Sequence, residues 1–170
     1  MSTTVDCVRC SALTRKGQRC KRNTCIYSKF CATHTRMLVR RYLATSHIPN
    51  SGKGLFTAVP IKKGTIVAKY SGNVVDKDEY EKNDTGYGVE LSDGKILDAS
   101  STQHELGRYA NDCRAMNRRA KHCKGNNAIL YENRRKKVSV EATKNIPANS
   151  EIFVSYGATY WKKSSTKKKK

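Results

Sequence analysis

The residues with the clearest chemical capacity are cysteines gathered near the N-terminus. Five of the seven cysteines fall within the first 31 residues, and a histidine follows three residues later. The set is Cys7, Cys10, Cys20, Cys25, Cys31 and His34. In a reducing compartment, an odd number of cysteines clustered in this way indicates a metal site before disulfides. Because thiolate ligation supplies the folding energy of so small a segment, we expect this arm to be unfolded without zinc.

Two ligand sets suit tetrahedral zinc, which takes four thiolate or imidazole ligands. In the first, a C-x-x-C pair and a C-x-x-H pair form two knuckles: Cys7, Cys10, Cys31 and His34. In the second, Thr14 and Gly17 shape the turn between the first two ligands. The second set is Cys10, Cys20, Cys31 and His34, with Cys7 and Cys25 as alternates. This second pattern resembles a short zinc-binding motif common in proteins of large DNA viruses, and we prefer it.

Three further stretches combine glycine turns with aromatic residues. The first, 48–75, holds the G-x-G turn of Gly52, Lys53 and Gly54. The second, 87–113, ends in Leu-Gly-Arg-Tyr-Ala-Asn-Asp-Cys. The third, 140–161, ends in Ser-Tyr-Gly-Ala-Thr-Tyr-Trp. In this order and spacing the stretches resemble SET-domain lysine methyltransferases over about 48 to 161, and the ending resembles that of compact viral members of the family.

The resemblance implies a fold and an activity. The expected fold is mostly β with short helices, in which small sheets surround a knot-like C-terminal crossing. The expected activity is S-adenosylmethionine-dependent N-methylation of a protein lysine, with a histone as substrate. Methyl transfer needs a neutral amine, an in-line approach and a shielded channel, and it needs no acid–base pair of side chains.

The resemblance also implies roles for particular residues. Tyr156 is expected to supply the central hydroxyl near the transferring methyl group, and Tyr87 to line the lysine channel. The cofactor would be held by Gly52, Lys53, Gly54, Asn111, Asp112, Tyr156, Tyr160 and Trp161. Asp112 stands where the family usually has histidine, so we expect weakened or altered cofactor binding there.

The charge distribution suggests the partners. The net charge is +20, concentrated in residues 1–43, 108–137 and 162–170, whereas 76–98 is rich in acidic residues. Basic blocks attract phosphate backbones through counterion release, so DNA is an expected partner. The acidic segment suits a basic peptide such as a histone tail. We expect a nuclear or chromatin-associated protein, in a host nucleus or virion if viral, that is not secreted and has no membrane partner.

The elements that position these residues follow from local patterns. We expect a zinc-binding arm and basic helix over 1–45, a SET domain over 46–161 and a disordered Lys-rich tail over 162–170. Short apolar runs between Gly and Asn turns predict strands at 55–59, 65–70, 89–91, 128–131, 138–140 and 152–156. Asp76 followed by Glu79 predicts a short helix over 76–82.

Two other functions fit parts of the pattern. The first is a non-catalytic SET-like protein, damaged at Asp112, that binds chromatin or nucleic acid through its zinc arm and basic blocks. The second is an RNA-binding protein of the ribosomal-protein type. No cysteine follows Trp161, so a zinc-binding post-SET element is not expected. Either Trp161 and its neighbours or a second copy in a homodimer would then complete the channel.

Overall fold

The computed structural model describes residues 7–14, 16–24, 29–102, 105–115, 124–157 and 160. Cys25, Trp161 and the predicted Lys-rich tail over 162–170 lie outside the described residues. Within the described part of the chain, no helix has the length and apolar composition that crossing a membrane requires.

The N-terminal arm is small and irregular. Strands β1 (Val8–Arg9) and β2 (Asn23–Thr24) pair antiparallel. Helix α1 (Ala32–His34) continues into a π-helical turn over Thr35–Val39. The helix ends at Arg40, whose backbone lies in the left-handed region with φ 61°. A residue in the left-handed region commonly ends a helix; the position is usually taken by glycine, and here an arginine takes it.

The predicted basic helix is wrong beyond residue 40. Residues Arg41–Thr45 form strand β3, which pairs antiparallel with β4 (Lys53–Thr57). Pairing places Leu43 opposite Leu55 and packs it against the main hydrophobic cluster. Ladder hydrogen bonds and this burial outweigh the weak helical pattern of the segment, as tertiary contacts often do. The boundary expected between 45 and 46 therefore falls inside a hairpin.

Two three-stranded antiparallel sheets complete the β structure. The first has the order β5 (Ile66–Tyr70), β10 (Val138–Ala142), β9 (Ala128–Glu132). The second has the order β6 (Asn73–Val75), β8 (Ile96–Asp98), β7 (Gly88–Glu90). Helix α2 (Lys77–Lys82) follows β6, and single 3₁₀ turns cover Leu106–Tyr109 and Cys113–Ala115.

The predicted mostly β fold with short helices is confirmed. All of the strand predictions except 152–156 overlap observed strands, and the helix predicted over 76–82 is α2. Segment 152–156 forms no ladder. Around it lie two isolated bridges, one joining Glu151 to Phe56 and one joining Phe153 to Asn111.

The segment 151–156 is held by backbone hydrogen bonds on several sides. The Ile152 N–H donates to the Leu55 carbonyl over 2.7 Å, and the Val154 N–H donates to the Asn111 carbonyl over 2.9 Å. The Phe153 carbonyl accepts from the N–H groups of residues 127 and 128 at 3.0 and 2.9 Å. The segment thus runs between the Asn111 and 127–128 segments, and its apolar side chains enter the core.

The main hydrophobic core lies beneath the first sheet and β4. Its largest fully buried members come from three separate parts of the chain: Leu55, Val140, Ile146, Ile152 and Val154. A smaller cluster between the two three-stranded sheets contains Tyr70, Leu91, Leu97, Ala99 and Val138. Burial of this apolar surface is what aligns the C-terminal segment with the sheets.

Leu55→Ala is expected to lower the free energy of unfolding by about 2 to 5 kcal/mol, because it leaves a cavity at a side chain with no exposed surface. Ile66→Ala is the matched control, since Ile66 is 62% exposed, and it should change the free energy by no more than about 0.5 kcal/mol. Urea denaturation of both variants measures the difference. Equal effects would mean that β4 does not pack as described.

Candidate functional site

A cavity of about 460 Å³ opens where both three-stranded sheets meet the C-terminal segment. Tyrosine side chains supply much of its wall: Tyr70, Tyr80, Tyr87, Tyr156 and Tyr160. Aromatic rings offer an apolar surface with a polar edge, so such a cavity can enclose an aliphatic chain and still orient a polar group at its end.

Tyr156 is one of the lining tyrosines. Its hydroxyl donates to the Ala110 carbonyl over 3.1 Å, and its ring meets that of Tyr160 edge to face with centroids 4.8 Å apart. Burial is the main reason that the pKa of Tyr156 is raised well above its usual value. The phenol therefore stays protonated at physiological pH, and it acts by hydrogen bonding rather than as a base.

Tyr87 is fixed at both its backbone and its ring. The Tyr70 hydroxyl donates to the Tyr87 carbonyl over 2.8 Å, and the Arg108 guanidinium carbon lies 3.8 Å from the centre of the Tyr87 ring. Arg108 in turn donates to the Ser100 carbonyl over 2.8 Å. Burial raises the pKa of Tyr70, so this phenol also remains a neutral donor.

Charged residues line the cavity beside the tyrosines. The acidic segment predicted from the sequence contributes Glu81, Asp84 and Glu90, and the basic lining residues are Lys77 and Arg108. Lys77 pairs with Glu90 at 3.0 Å between exposed side chains. Carboxylates in the lining favour a cationic ligand.

The predicted cofactor loop comes close to Asn111. The Asn111 side-chain amide donates to the Lys53 carbonyl over 3.1 Å, which joins the G-x-G turn to the second stretch. Gly52 has φ 65°, a backbone conformation that glycine adopts without strain. Both Gly52 and Lys53 are exposed. Their role in cofactor binding stays a prediction.

A contact within the protein requires glycine at position 54. It is buried, and a Cβ atom added to it would overlap the carboxylate of Glu151. The missing side chain therefore makes room for a protein group. Of the G-x-G residues, the two that remain exposed are available for close backbone approach by a cofactor.

Asp112 is fully engaged within the protein. It is only 1% exposed. Its Oδ1 accepts from the Arg114 N–H at 2.9 Å and from the Asn126 side-chain amide at 3.2 Å, and its Oδ2 accepts from the Tyr156 N–H at 2.8 Å. The Asp112 carboxylate thus forms a bridge that holds the backbone of Tyr156.

Several residues of the site were not predicted from the sequence. Tyr70, Tyr80 and Arg108 line the cavity, and Glu151 contacts the cofactor loop. Tyr70 precedes the Ser-Gly of the first stretch, and Arg108 belongs to the second. Both therefore lay inside recognised motifs, but only their tertiary neighbours show that they face the cavity.

The N-terminal arm brings four potential metal ligands together. The thiolate or imidazole atoms of Cys10, Cys20, Cys31 and His34 all lie within 4.8 Å of one another, and the three cysteines are buried. His34 Nδ1 lies 3.6 Å from Cys10 Sγ and 3.4 Å from Cys31 Sγ. Ligand atoms around tetrahedral zinc are roughly 3.8 Å apart, because Zn–S bonds are about 2.3 Å long. The geometry fits the second ligand set.

The two alternate ligands, Cys7 and Cys25, are not among these four residues. Cys7 is disulfide-bonded and so offers no thiolate, while Cys25 lies outside the described residues. Within the cluster, burial raises the pKa of Cys10, but hydrogen bonds, led by that from the Cys31 N–H, outweigh burial and lower it to about 7. A thiol with this pKa is readily deprotonated, as metal ligation requires.

Arginines brace the same arm. The Arg9 side chain donates to the carbonyls of Cys20 and Arg19 at 3.0 and 3.2 Å, and Arg19 donates to those of Cys10 and Arg9 at 3.1 and 2.8 Å. These two arginine side chains therefore link the segment 9–10 to the segment 19–20, and each segment carries one of the clustered cysteines.

Comparison with known proteins agrees with this geometry. The sequence pattern described as "SET domain" matches residues 52–157. Among solved structures, the chain is similar to a humanized mutant of the Chaetomium thermophilum Polycomb Repressive Complex 2 bound to the inhibitor GSK126. The TM-score is 0.53 and the identity 27%, over 69% of this chain and 15% of that chain. Comparison with curated proteins gives no match.

Asp112→Asn is expected to destabilise the protein by about 1 to 3 kcal/mol. The NH₂ group of the asparagine would face at least one of the N–H groups that now donate to the Asp112 carboxylate. Asp93→Asn is the control, since Asp93 bonds Lys136 and the Lys95 N–H at the exposed surface. Thermal unfolding followed by circular dichroism measures both. An Asp112 variant as stable as the control would contradict the bridging role.

Proposed function

Because the chain belongs to the SET-domain family, whose members are generally protein lysine methyltransferases, we propose that it methylates a histone lysine with S-adenosylmethionine. One observation carries this proposal above the others. The cavity of about 460 Å³ is walled by tyrosines, Tyr156 among them, which suits the alkyl chain and amine of a lysine. The chain spans only 15% of the similar Polycomb chain, so activity and substrate are inferred from the site.

The cavity residues can prepare the amine without a base. A free lysine has a pKa near 10.4, so it must lose a proton before it can attack a methyl group. An apolar aromatic wall disfavours the ammonium form by desolvation. The Tyr156 oxygen, whose proton is donated to the Ala110 carbonyl, and nearby carbonyl groups can orient the neutral amine.

The predicted cofactor residues have suitable chemistry. S-adenosylmethionine, when bound, supplies an electrophilic methyl group on a sulfonium. The exposed Lys53 ammonium suits the carboxylate of its methionine part, the Asn111 carbonyl oxygen suits the amine, and the partly exposed ring of Tyr160 suits the adenine. Since both carboxylate oxygens of Asp112 are engaged, Asp112 would take part through its backbone. Gly52, Gly54 and Trp161 complete the proposed set.

Charge complementarity supports a basic chromatin substrate. Glu81, Asp84 and Glu90 line the cavity and would attract the lysines and arginines that flank a target lysine. The turn between β9 and β10 exposes Arg134, Arg135 and Lys137, which could contact DNA phosphates. These features favour a nucleosomal histone tail as substrate and a chromatin-associated location.

The N-terminal arm is proposed to bind one zinc ion through Cys10, Cys20, Cys31 and His34. The clustering of these ligands supports it. His34 ends α1, which leads through the π-helical turn into β3, so zinc would stabilise the segment that enters the SET fold. The role is structural, since four protein ligands leave no position for a substrate.

Tyr156→Phe should reduce turnover by about 100-fold or more, because it removes the hydroxyl that orients the amine. The same change removes the hydrogen bond from Tyr156 to the Ala110 carbonyl. Tyr131→Phe is the control, since Tyr131 lies on β9 and is 49% exposed away from the cavity. Transfer of isotopic label from S-adenosylmethionine to core histones or nucleosomes measures turnover.

The outcomes of this experiment separate the candidate functions. Label on a lysine that vanishes in Tyr156→Phe and persists in Tyr131→Phe supports the enzyme. No labelling together with no calorimetric binding of S-adenosylmethionine would favour a non-catalytic chromatin-binding protein. Cofactor binding without labelling would mean that the substrate is not a histone.

Cys20→Ser is expected to lose bound zinc, whereas Cys7→Ser should retain it, because only the first removes a ligand of the observed cluster. Metal content per chain, measured by plasma mass spectrometry after gel filtration, checks this. Retention of zinc by Cys20→Ser and its loss from Cys7→Ser would point to the two-knuckle set instead.

A further inference from the structure

Glu151 is a buried carboxylate that the mechanism above does not use. Its side chain has 0% exposure. Among the described residues its ion-pair partner is the half-exposed His47, whose Nδ1 lies 3.2 Å from Oε2. A buried carboxylate is costly unless several donors satisfy it, so its other partners indicate what it stabilises.

Those partners come from two separate parts of the chain. Oε1 accepts from the Ser46 hydroxyl at 2.6 Å and from the Asn111 side-chain amide at 3.3 Å, and Oε2 accepts from the His47 N–H at 2.8 Å. Ser46 and His47 directly precede the loop that leads to the G-x-G turn. Glu151 therefore joins the cofactor loop and the Asn111 segment to the C-terminal segment.

The carboxylate also packs against the loop itself. Gly54 has no side chain at the point where Glu151 lies, and an added Cβ would overlap the carboxylate. Close approach thus fixes the path of the backbone at Lys53 and Gly54, while the hydrogen bonds fix the start of the loop. Both ends of the predicted cofactor loop are held by one side chain.

Glu151 further determines the orientation of the Asn111 amide. The two neighbours of its NH₂ group, the Lys53 carbonyl and the Glu151 carboxylate, are both acceptors. The NH₂ must therefore point toward them, which leaves Oδ1 as an acceptor for a ligand. A neutral amide at position 151 could present its own NH₂ and remove this constraint.

We propose that Glu151 is a positioning residue for S-adenosylmethionine, which holds the Ser46–Gly54 loop and the Asn111 amide in the conformation that binds the cofactor. The inference rests on the proposed function, since it concerns the same cofactor. Glu151 does not line the tyrosine-walled cavity, so its effect belongs to cofactor binding and is separate from methyl transfer.

The test compares Glu151→Gln and Ser46→Ala with a matched control, Glu141→Gln. Glu141 lies on β10, is half-buried and does not line the cavity. We expect Glu151→Gln to raise the Kd and KM for S-adenosylmethionine by about tenfold, the usual effect of losing charge-assisted hydrogen bonds. Ser46→Ala should raise them less, and kcat at saturating cofactor should stay within about threefold for both.

The measurements are calorimetric binding of S-adenosylmethionine, steady-state methylation and the melting temperature of each variant. If wild type binds no cofactor, the proposed function fails and this inference fails with it. If wild type binds and Glu151→Gln binds equally well, only this inference is overturned. A fall in kcat with Kd unchanged would also overturn it, because Glu151 would then act on the methyl transfer.

Folding of the variants is controlled separately. Should Glu151→Gln fail to fold, Ser46→Ala decides the question, because it keeps the carboxylate and removes one donor at the same site. A folded Ser46→Ala protein with weakened cofactor binding and near-normal kcat supports the positioning role. Unchanged cofactor binding in that protein would refute it.

Discussion

The constraint on which the site depends is the path of residues 151–156 between two other segments of the chain. Backbone hydrogen bonds to Asn111 on one side and to residues 127 and 128 on the other leave this segment little freedom. Its apolar side chains are buried in the core, so it cannot shift without exposing them. Tyr156 is thereby held in the wall of the tyrosine-lined cavity.

Two buried carboxylates hold the two ends of the 151–156 segment. Glu151 accepts from groups that precede the cofactor loop, and Asp112 accepts from the Tyr156 N–H. Hydrogen bonds to charged groups are stronger than neutral ones, and a buried carboxylate whose donors are removed is destabilising. The same two charged groups therefore connect the proposed cofactor site to the tyrosine-walled cavity.

Much of the site could be predicted because its residues lie in motifs of characteristic order. The cysteine spacing predicted the ligand cluster, since ligands close in sequence need little tertiary information to meet. The strand limits followed from apolar runs between turns. The basic helix expected to run to residue 45 was wrong beyond residue 40 because β4, eight residues further on, offers β3 a partner that the local pattern does not reveal.

The sequence by itself determined the family, the alternation of short strands and turns, the candidate metal ligands, and the identity of Tyr156 and Tyr87 as candidate site residues. These depend on residue type and order along the chain. Only the tertiary structure decided that Gly54 makes room for Glu151, that Asp112 bridges to Tyr156, and that Arg108 lies over the Tyr87 ring. The physical reason is that each of these is a contact between segments far apart in sequence. Such contacts exist only once burial of the core has brought the segments together.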